Sequence, residues 1–326
     1  MIRFFRSGNP LTVLLLLIYT IVLKFNYLIH PQAYVSEKSE GLFYDMFVQF
    51  LDGVANKNAF FYTFFAVALI FVQALLLTRI INNQRLFSKP TYLPAMCYIL
   101  FTSLFTSWNV FSPALLVNTI MLWVFANITQ LYNRTSARDV AFNLGFAVGI
   151  CGLIYFPSII FVLLIFVSLL IMRSFRLAEW IIALLGLACP LYLFGTYLFL
   201  TDQWGLMAKV LRIGLPLPLI TDYKVWGAMI TSVLFFVLGW LLLQTTFKKM
   251  LIQGRKIWSA AAVYVIVAMV IPFFTVNFAP LYWLMAILPV SMFAGNVFWS
   301  IRSNTFANIV HFVVLGYVIV MQYFTH

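Results

Sequence analysis

The sequence predicts an all-α integral membrane protein: a polytopic bundle of about 11 transmembrane helices with a short amphipathic interface helix in its first outer loop. Three observations predict it. Apolar runs long enough for a helix to cross the hydrocarbon, about 20 residues, recur from end to end of the chain. Hydrophobic residues make up 64% of the sequence and charged residues 9%, against roughly 25% charged in soluble domains. The ten-residue alternation of a membrane barrel is absent, so helices are left to satisfy the backbone hydrogen bonds in lipid.

The first apolar run, 11–29, follows Arg3 and Arg6 in the manner of a signal-peptide n-region. No small-x-small cleavage pattern comes after it, and it reads as a retained first helix. Further spans are expected near 59–78, 91–107, 112–132, 138–155, 157–173, 178–200, 225–246, 257–275, 281–299 and 305–324. The 135–176 stretch is too long for one crossing and divides at Tyr155-Phe156-Pro157-Ser158; merging it or splitting another span would change the count by one. Phe111-Ser112-Pro113, Phe156-Pro157-Ser158 and Phe278-Ala279-Pro280 each place a proline where a helix starts and its missing N–H costs nothing.

With the N-terminus inside, the cytoplasmic segments collect Arg3, Arg6, Arg79, Arg85, Lys89, Arg134, Arg138, Arg173, Arg176, Lys248, Lys249, Arg255, Lys256 and Arg302, fourteen of the 20 basic residues. Lys24, Lys38, Lys57, Lys209, Arg212 and Lys224 fall outside, together with the acids Glu37, Glu40, Asp45, Asp52, Asp202 and Asp222. The net charge of +12 therefore reflects the positive-inside rule and calls for no nucleic acid. The same alternation puts the C-terminus on the outer side.

Little conventional chemistry is present. Cys97, Cys151 and Cys189 lie inside apolar runs, where packing is the expected role. His30, His311 and His326 are scattered, and there is no HExxH, CxxC, phosphate loop or dinucleotide fingerprint. An ATP-driven pump is excluded for this chain alone, and a four-histidine iron site is disfavoured. Ionisable residues inside the spans reduce to His311 and the boundary residue Lys24, which disfavours ion coupling through buried carboxylates. No cofactor is predicted; a surface carboxylate can ligate a divalent metal, but no ligand cluster supports one.

The chain reads as one transmembrane domain, 1–326, without a soluble domain, and only two outward connections are long, about 30–58 and 201–224. In the first, Phe43, Met46, Phe47, Phe50, Leu51 and Val54 follow helical spacing while Asp45, Gln49 and Asp52 face the other way. Ser36 or Ser39 is the expected N-cap and Gly53 the expected end. A carboxylate held there can act as a general base on a hydroxyl, or the acids simply face water on a loop from which basic residues are excluded. In the second, Lys209 and Arg212 at i, i+3, then Lys224, can satisfy a phosphate or neutralise the outer acids.

The stretch NLGFAVGICGLIYFPSIIFVLLIFVSLLIMRSFRLAEW, with SGNPLTVLLLLIY, QALLLTRIINNQRL and LPVSMFAGNVF, resembles a family of polytopic inner-membrane proteins of Bacteroidota, a domain of unknown function. That resemblance implies a bacterial inner membrane, in which the charge count above makes the N-terminus cytoplasmic and the C-terminus periplasmic. More remotely, the arrangement is similar to the GT-C glycosyltransferases that use lipid-phosphate-linked sugars. Its carriers are the acidic first outer loop with its interface helix and the pattern Gly145, Phe146, Gly149, Leu153, Pro157. It implies that Glu37, Glu40 or Asp45 acts as catalytic base; in that reading the outward cations Lys209, Arg212 and Lys224 would bind the substrate phosphate. The Asp-Glu pair usual after the first helix of that superfamily is absent here, as is a sizeable outer domain.

On the cytoplasmic side, Arg173, Arg176 and Glu179 of RSFRLAEW offer either a contact for a protein partner or lipid head group, or a positive-inside anchor with a neutralising acid. The functional expectation is handling of a lipid-phosphate-linked glycan or glycolipid at the outer face, with membrane lipids as partners. The alternatives are a non-catalytic subunit of an envelope assembly or export complex, and a facilitative transporter with a cavity lined by residues such as Asn118, Asn127 and Asn143.

Overall fold

A computed structural model of the chain describes residues 1–34, 41–134, 136–207, 214, 223–275 and 278–323, and every regular element among them is helical. The elements are α1 (Ile2–Phe5), α2 (Thr12–Ile29), α3 (Leu42–Ala55), α4 (Ala59–Asn83), α5 (Leu93–Thr102), α6 (Pro113–Gln130), α7 (Arg138–Ile154), α8 (Val162–Met172), α9 (Leu177–Leu200), α10 (Tyr223–Phe247), α11 (Ile252–Val270), α12 (Leu284–Ser300) and α13 (Asn304–Tyr323). Among the described residues, 8 helices are long and apolar enough to cross a membrane; α5 and the Phe156–Met172 stretch are shorter apolar helices. The chain is a multi-pass α-helical membrane protein.

Each of the three Phe-x-Pro or Phe-Pro turns begins a helix. Pro113 opens α6 directly, while Pro157 and Pro280 open 3-10 turns that run on into α8 and α12. The core gathers around α12, which is buried from Leu284 to Phe298, between α5, α10, α11 and α6. Its neighbour α10 approaches closely enough for the Asn296 amide to donate to the Gly239 carbonyl at 3.0 Å.

Six connections meet at one end, which carries the expected cytoplasmic basic residues. Tyr92 N–H donates to the Phe5 carbonyl (2.8 Å), and Arg6 reaches the Phe298 carbonyl (2.6 Å), the Ile301 carbonyl and Asn304 Oδ1. Gln253 Nε2 donates to Gln84 Oε1 (3.0 Å), Lys256 Nζ to the Met172 carbonyl (3.0 Å), and Arg173 to the Arg134 carbonyl (2.6 Å). The far end is joined in the same way: the Thr63 hydroxyl pairs with the Gln32 backbone, Trp108 Nε1 donates to the Pro280 carbonyl (3.1 Å), and the Tyr155 and Tyr282 rings stack 3.8 Å apart.

The GFxxG stretch is a helix contact. A Cβ on Gly145 would lie 2.0 Å from the Ala183 carbonyl oxygen, and one on Gly186 would lie 2.2 Å from that of Phe142. Small residues let helix backbones touch where no hydrophobic force separates protein from lipid. Gly145 faces Ala183 and Gly149 faces Leu187, so α7 and α9 run in the same direction with α8 as the return between them.

Three expectations are corrected. Gly53 does not end α3: the helix continues to Ala55 and closes at Asn56, whose φ of 48° is the left-handed conformation that asparagine tolerates. The expected 91–107 span is helical only as far as Thr102, then turns through a 3-10 segment, Thr106–Asn109. Thr102 and Ser103 hydroxyls both bond back to the Ile99 carbonyl, at 3.0 and 2.8 Å, in competition with the backbone ladder. Lys24 is no boundary residue; it is fully buried in α2 and donates to Thr102 (2.9 Å) and to Asn109 across that break.

Candidate functional site

At the far end, α3 is built in three sectors. Tyr44 and Val48 are buried against the bundle, where Tyr44 and Phe47 pack on Phe111 with centroids 6.0 and 6.5 Å away. Phe43, Met46 and Phe50 are exposed apolar residues on a second side, Phe50 at 71%. Gln49 is exposed and Asp45 half-buried on the third. One buried face, one exposed apolar face and one polar face make α3 an amphipathic helix. Loss of surrounding water raises the Asp45 carboxyl above its ordinary value.

Hydrogen bonds hold this helix at both ends. The Gly41 N–H donates to the Ile154 carbonyl at 3.2 Å, at the carboxyl end of α7. Glycine is required there, because a Cβ would stand 2.3 Å from the Leu153 carbonyl oxygen. Further along, Tyr62 OH donates to Asp52 Oδ1 at 2.5 Å, with the Tyr34 ring 5.1 Å from that of Tyr62.

The same end of α7 meets α9 near the point where the second long connection departs. Leu153 packs with Phe194 and Leu198 of α9, immediately before the chain leaves that helix at Thr201. Gly41 of the first long connection and the end of α9, from which the second departs, therefore both lie beside the end of α7. Beside α9, Tyr192, Thr196, Asp202 and Trp204 line a hollow of about 810 Å³.

Under α3 an apolar cleft runs between α6 and α7. Its upper part, about 240 Å³, is roofed by Phe43, Tyr44 and Phe47; its lower part, about 540 Å³, reaches Trp123, Asn143 and Phe146. The two parts share Thr119, Ile120 and Ile150 as walls. The walls of both parts are almost wholly apolar, with Thr119 and Asn143 as the polar residues.

Of the residues singled out in the sequence, Asp45 stands on the helix that roofs this cleft, one position along from Tyr44. Glu37, Glu40, Lys209 and Arg212 lie outside the described residues, as do Ser36, Ser39 and Asp222. Lys224 occupies the first turn of α10, which packs chiefly on α12. At the basic end Arg173 and Glu179 pair at 3.5 Å with side chains 9% and 3% exposed, leaving Arg176 as the exposed member of the trio. The three asparagines have separate surroundings: Asn118 donates to the Leu284 carbonyl in the core, Asn127 to Trp123 of its own helix, and Asn143 lines the cleft.

Sequence reading missed the Asp52–Tyr62 bond and the role of Lys24. Tyr19, Leu23, Lys24 and Tyr27 share one buried face of α2, a pattern that was available. Tyr19 OH lies 3.1 Å from His311 Nε2, so His311, like Lys24, is engaged with a partner from another helix. Among the described residues no three His, Cys, Asp or Glu side chains gather as a metal site.

Fold and geometry thus define a multi-pass helical membrane protein with an apolar cleft under an interface helix. Comparison with protein-family models, curated proteins and solved structures returns no match for this chain, and its function has to be argued from the geometry.

Proposed function

We propose that the protein handles a lipid-phosphate-linked glycan or related glycolipid at the outer face of a bacterial inner membrane, in the manner of GT-C glycosyltransferases. The observation that carries this reading is that Gly41 of the first long connection and the end of α9, from which the second departs, both pack on the end of α7, next to the cleft under α3. The lipid chain lies in the cleft. Asp45, Glu37 or Glu40, all of the first connection, supplies the base towards an acceptor hydroxyl, and Lys209, Arg212 and Lys224 hold the phosphate. The desolvation that raises the Asp45 carboxyl moves it in the direction a general base requires.

The topology that goes with this has eleven crossings: the long helices plus α5, α7 and α8, with the N-terminus cytoplasmic and the C-terminus periplasmic. The collection of basic connections at one end supports it. The test is sugar release from a polyprenyl-phosphate sugar by purified protein, compared among wild type, Asp45→Asn, Glu37→Gln and Glu40→Gln. Loss of turnover in one of the variants is expected. Equal turnover in all of them would remove the catalytic assignment.

A further inference from the structure

The opposite end of the bundle holds a second cavity that the outer-face reading does not use. About 370 Å³ in volume, it lies between the turn after α4, the α10–α11 connection and the end of α12. Arg85 and Lys249 line it, and no acidic side chain does. Both ion pairs formed among the described residues lie elsewhere, Arg134 with Asp139 and Arg173 with Glu179, so these two cations face the cavity unneutralised.

The walls are preorganised. Asn82 clips Thr91 through both its amide atoms, at 3.1 and 3.2 Å, and Gln84 is tied across the cavity to Gln253 at 3.0 Å. Within that pinned turn Arg85 holds a left-handed backbone, φ 49°, while Leu86 N–H bonds back to the Ile81 carbonyl at 3.2 Å. A non-glycine residue kept in this region is strained, and surrounding structure has to impose it. Here the imposed turn presents a guanidinium to the cavity. Gln253 and Gly254, from the first turn of α11, form part of the wall, and no side chain caps that helix, so its N–H groups add to the positive potential. Phe87 and Trp299 supply an aromatic floor, their centroids 5.5 Å apart.

We propose that this cavity binds a phosphate group, carried either by the head group of an anionic lipid or by a small soluble phosphate ester, with Arg85 and Lys249 as its charged ligands. A forked guanidinium beside an ammonium satisfies phosphate oxygens, and the volume exceeds what a bare ion needs while falling in the range of small-ligand pockets. The lipid-like rim of Leu251 and Met250 admits either source.

The test uses the full-length protein in neutral detergent, titrated with phosphatidylglycerol in one arm and with glycerol 3-phosphate in the other, binding being read by native mass spectrometry and by thermal shift. Wild type should bind at least one of the two, more weakly as salt is raised. The double substitution Arg85→Gln with Lys249→Gln should weaken that binding at least about tenfold. Both side chains are exposed, and the melting temperature of the unliganded variant checks that the fold persists. Lys248→Gln removes the same charge from an exposed neighbour outside the cavity and should leave binding unchanged. Binding confined to phosphatidylglycerol identifies a lipid head group, and binding of glycerol 3-phosphate identifies a soluble ester. Failure to bind either probe, equal binding by the double variant, or an equal loss in Lys248→Gln would overturn the proposal.

Discussion

The Gly41 N–H donates to the Ile154 carbonyl oxygen at 3.2 Å, tying the start of the interface helix to the end of the helix that carries the GFxxG stretch. One backbone contact thus sets the height of the cleft's roof, because Phe43, Tyr44 and Phe47 follow Gly41 within two turns. Gly41→Val would drive a side chain into the Leu153 carbonyl, 2.3 Å from the Cβ position. The expected result is displacement of α3 with the bundle intact: faster proteolysis or hydrogen exchange across 41–55, and normal protection in α12. Unchanged exchange in α3 would separate the two elements.

Tyr62→Phe removes the donor to Asp52 Oδ1. Hydrogen bonds to a charged acceptor are worth about 1.5–3 kcal/mol when protected, and Asp52 is only half-buried, so a loss of about 1 kcal/mol is expected. Denaturant midpoints of Tyr62→Phe, Asp52→Asn and the double variant test it. If the double variant costs the sum of the single ones, the two residues are uncoupled.

Gly145→Leu inserts a side chain where the Ala183 carbonyl lies 2.0 Å from the Cβ position. Overpacking of that kind costs about 1–3 kcal/mol, and here backbone must move to relieve it. Gly316→Ala, which meets open space on α13, is the matched control and should be neutral or slightly stabilising. Melting temperatures in one detergent distinguish the two positions.

Asp45 gives a pH dependence of definite sign. Burial raises its carboxyl in the folded protein above the ordinary aspartate value. Between the two values the folded state binds more protons than the unfolded state, so the stability contribution is present at low pH and is lost as pH rises through that window. Asp45→Asn should flatten this part of the curve. A melting profile with the same slope in wild type and Asp45→Asn would assign it to another group.

Much of this architecture was legible in the sequence for simple reasons. Proline at 113, 157 and 280 marks helix starts because an N–H is dispensable there, and the basic connections sort to one end because the membrane sorts them. The interface helix follows from its i, i+3, i+4 spacing. What remained hidden is what apolarity cannot encode. Phe43, Tyr44, Met46 and Val48 are all bulky and largely apolar, yet two face the bundle and two do not. Lys24 reads as a boundary residue until the break after Thr102 provides Asn109 as its partner. The basic cavity is assembled from residues as far apart as Arg85, Lys249 and Trp299, with no local pattern to announce it.

The most direct test of an outer-face lipid site is the lipid that accompanies the protein out of the membrane. Wild type and Ile150→Trp, whose indole would fill the waist shared by both parts of the cleft, are purified in mild detergent and their bound lipids identified by mass spectrometry. The account predicts a polyprenyl-phosphate-linked lipid in wild type and its loss from Ile150→Trp. Ordinary phospholipid alone in wild type, or equal retention of the carrier lipid by both proteins, would contradict it.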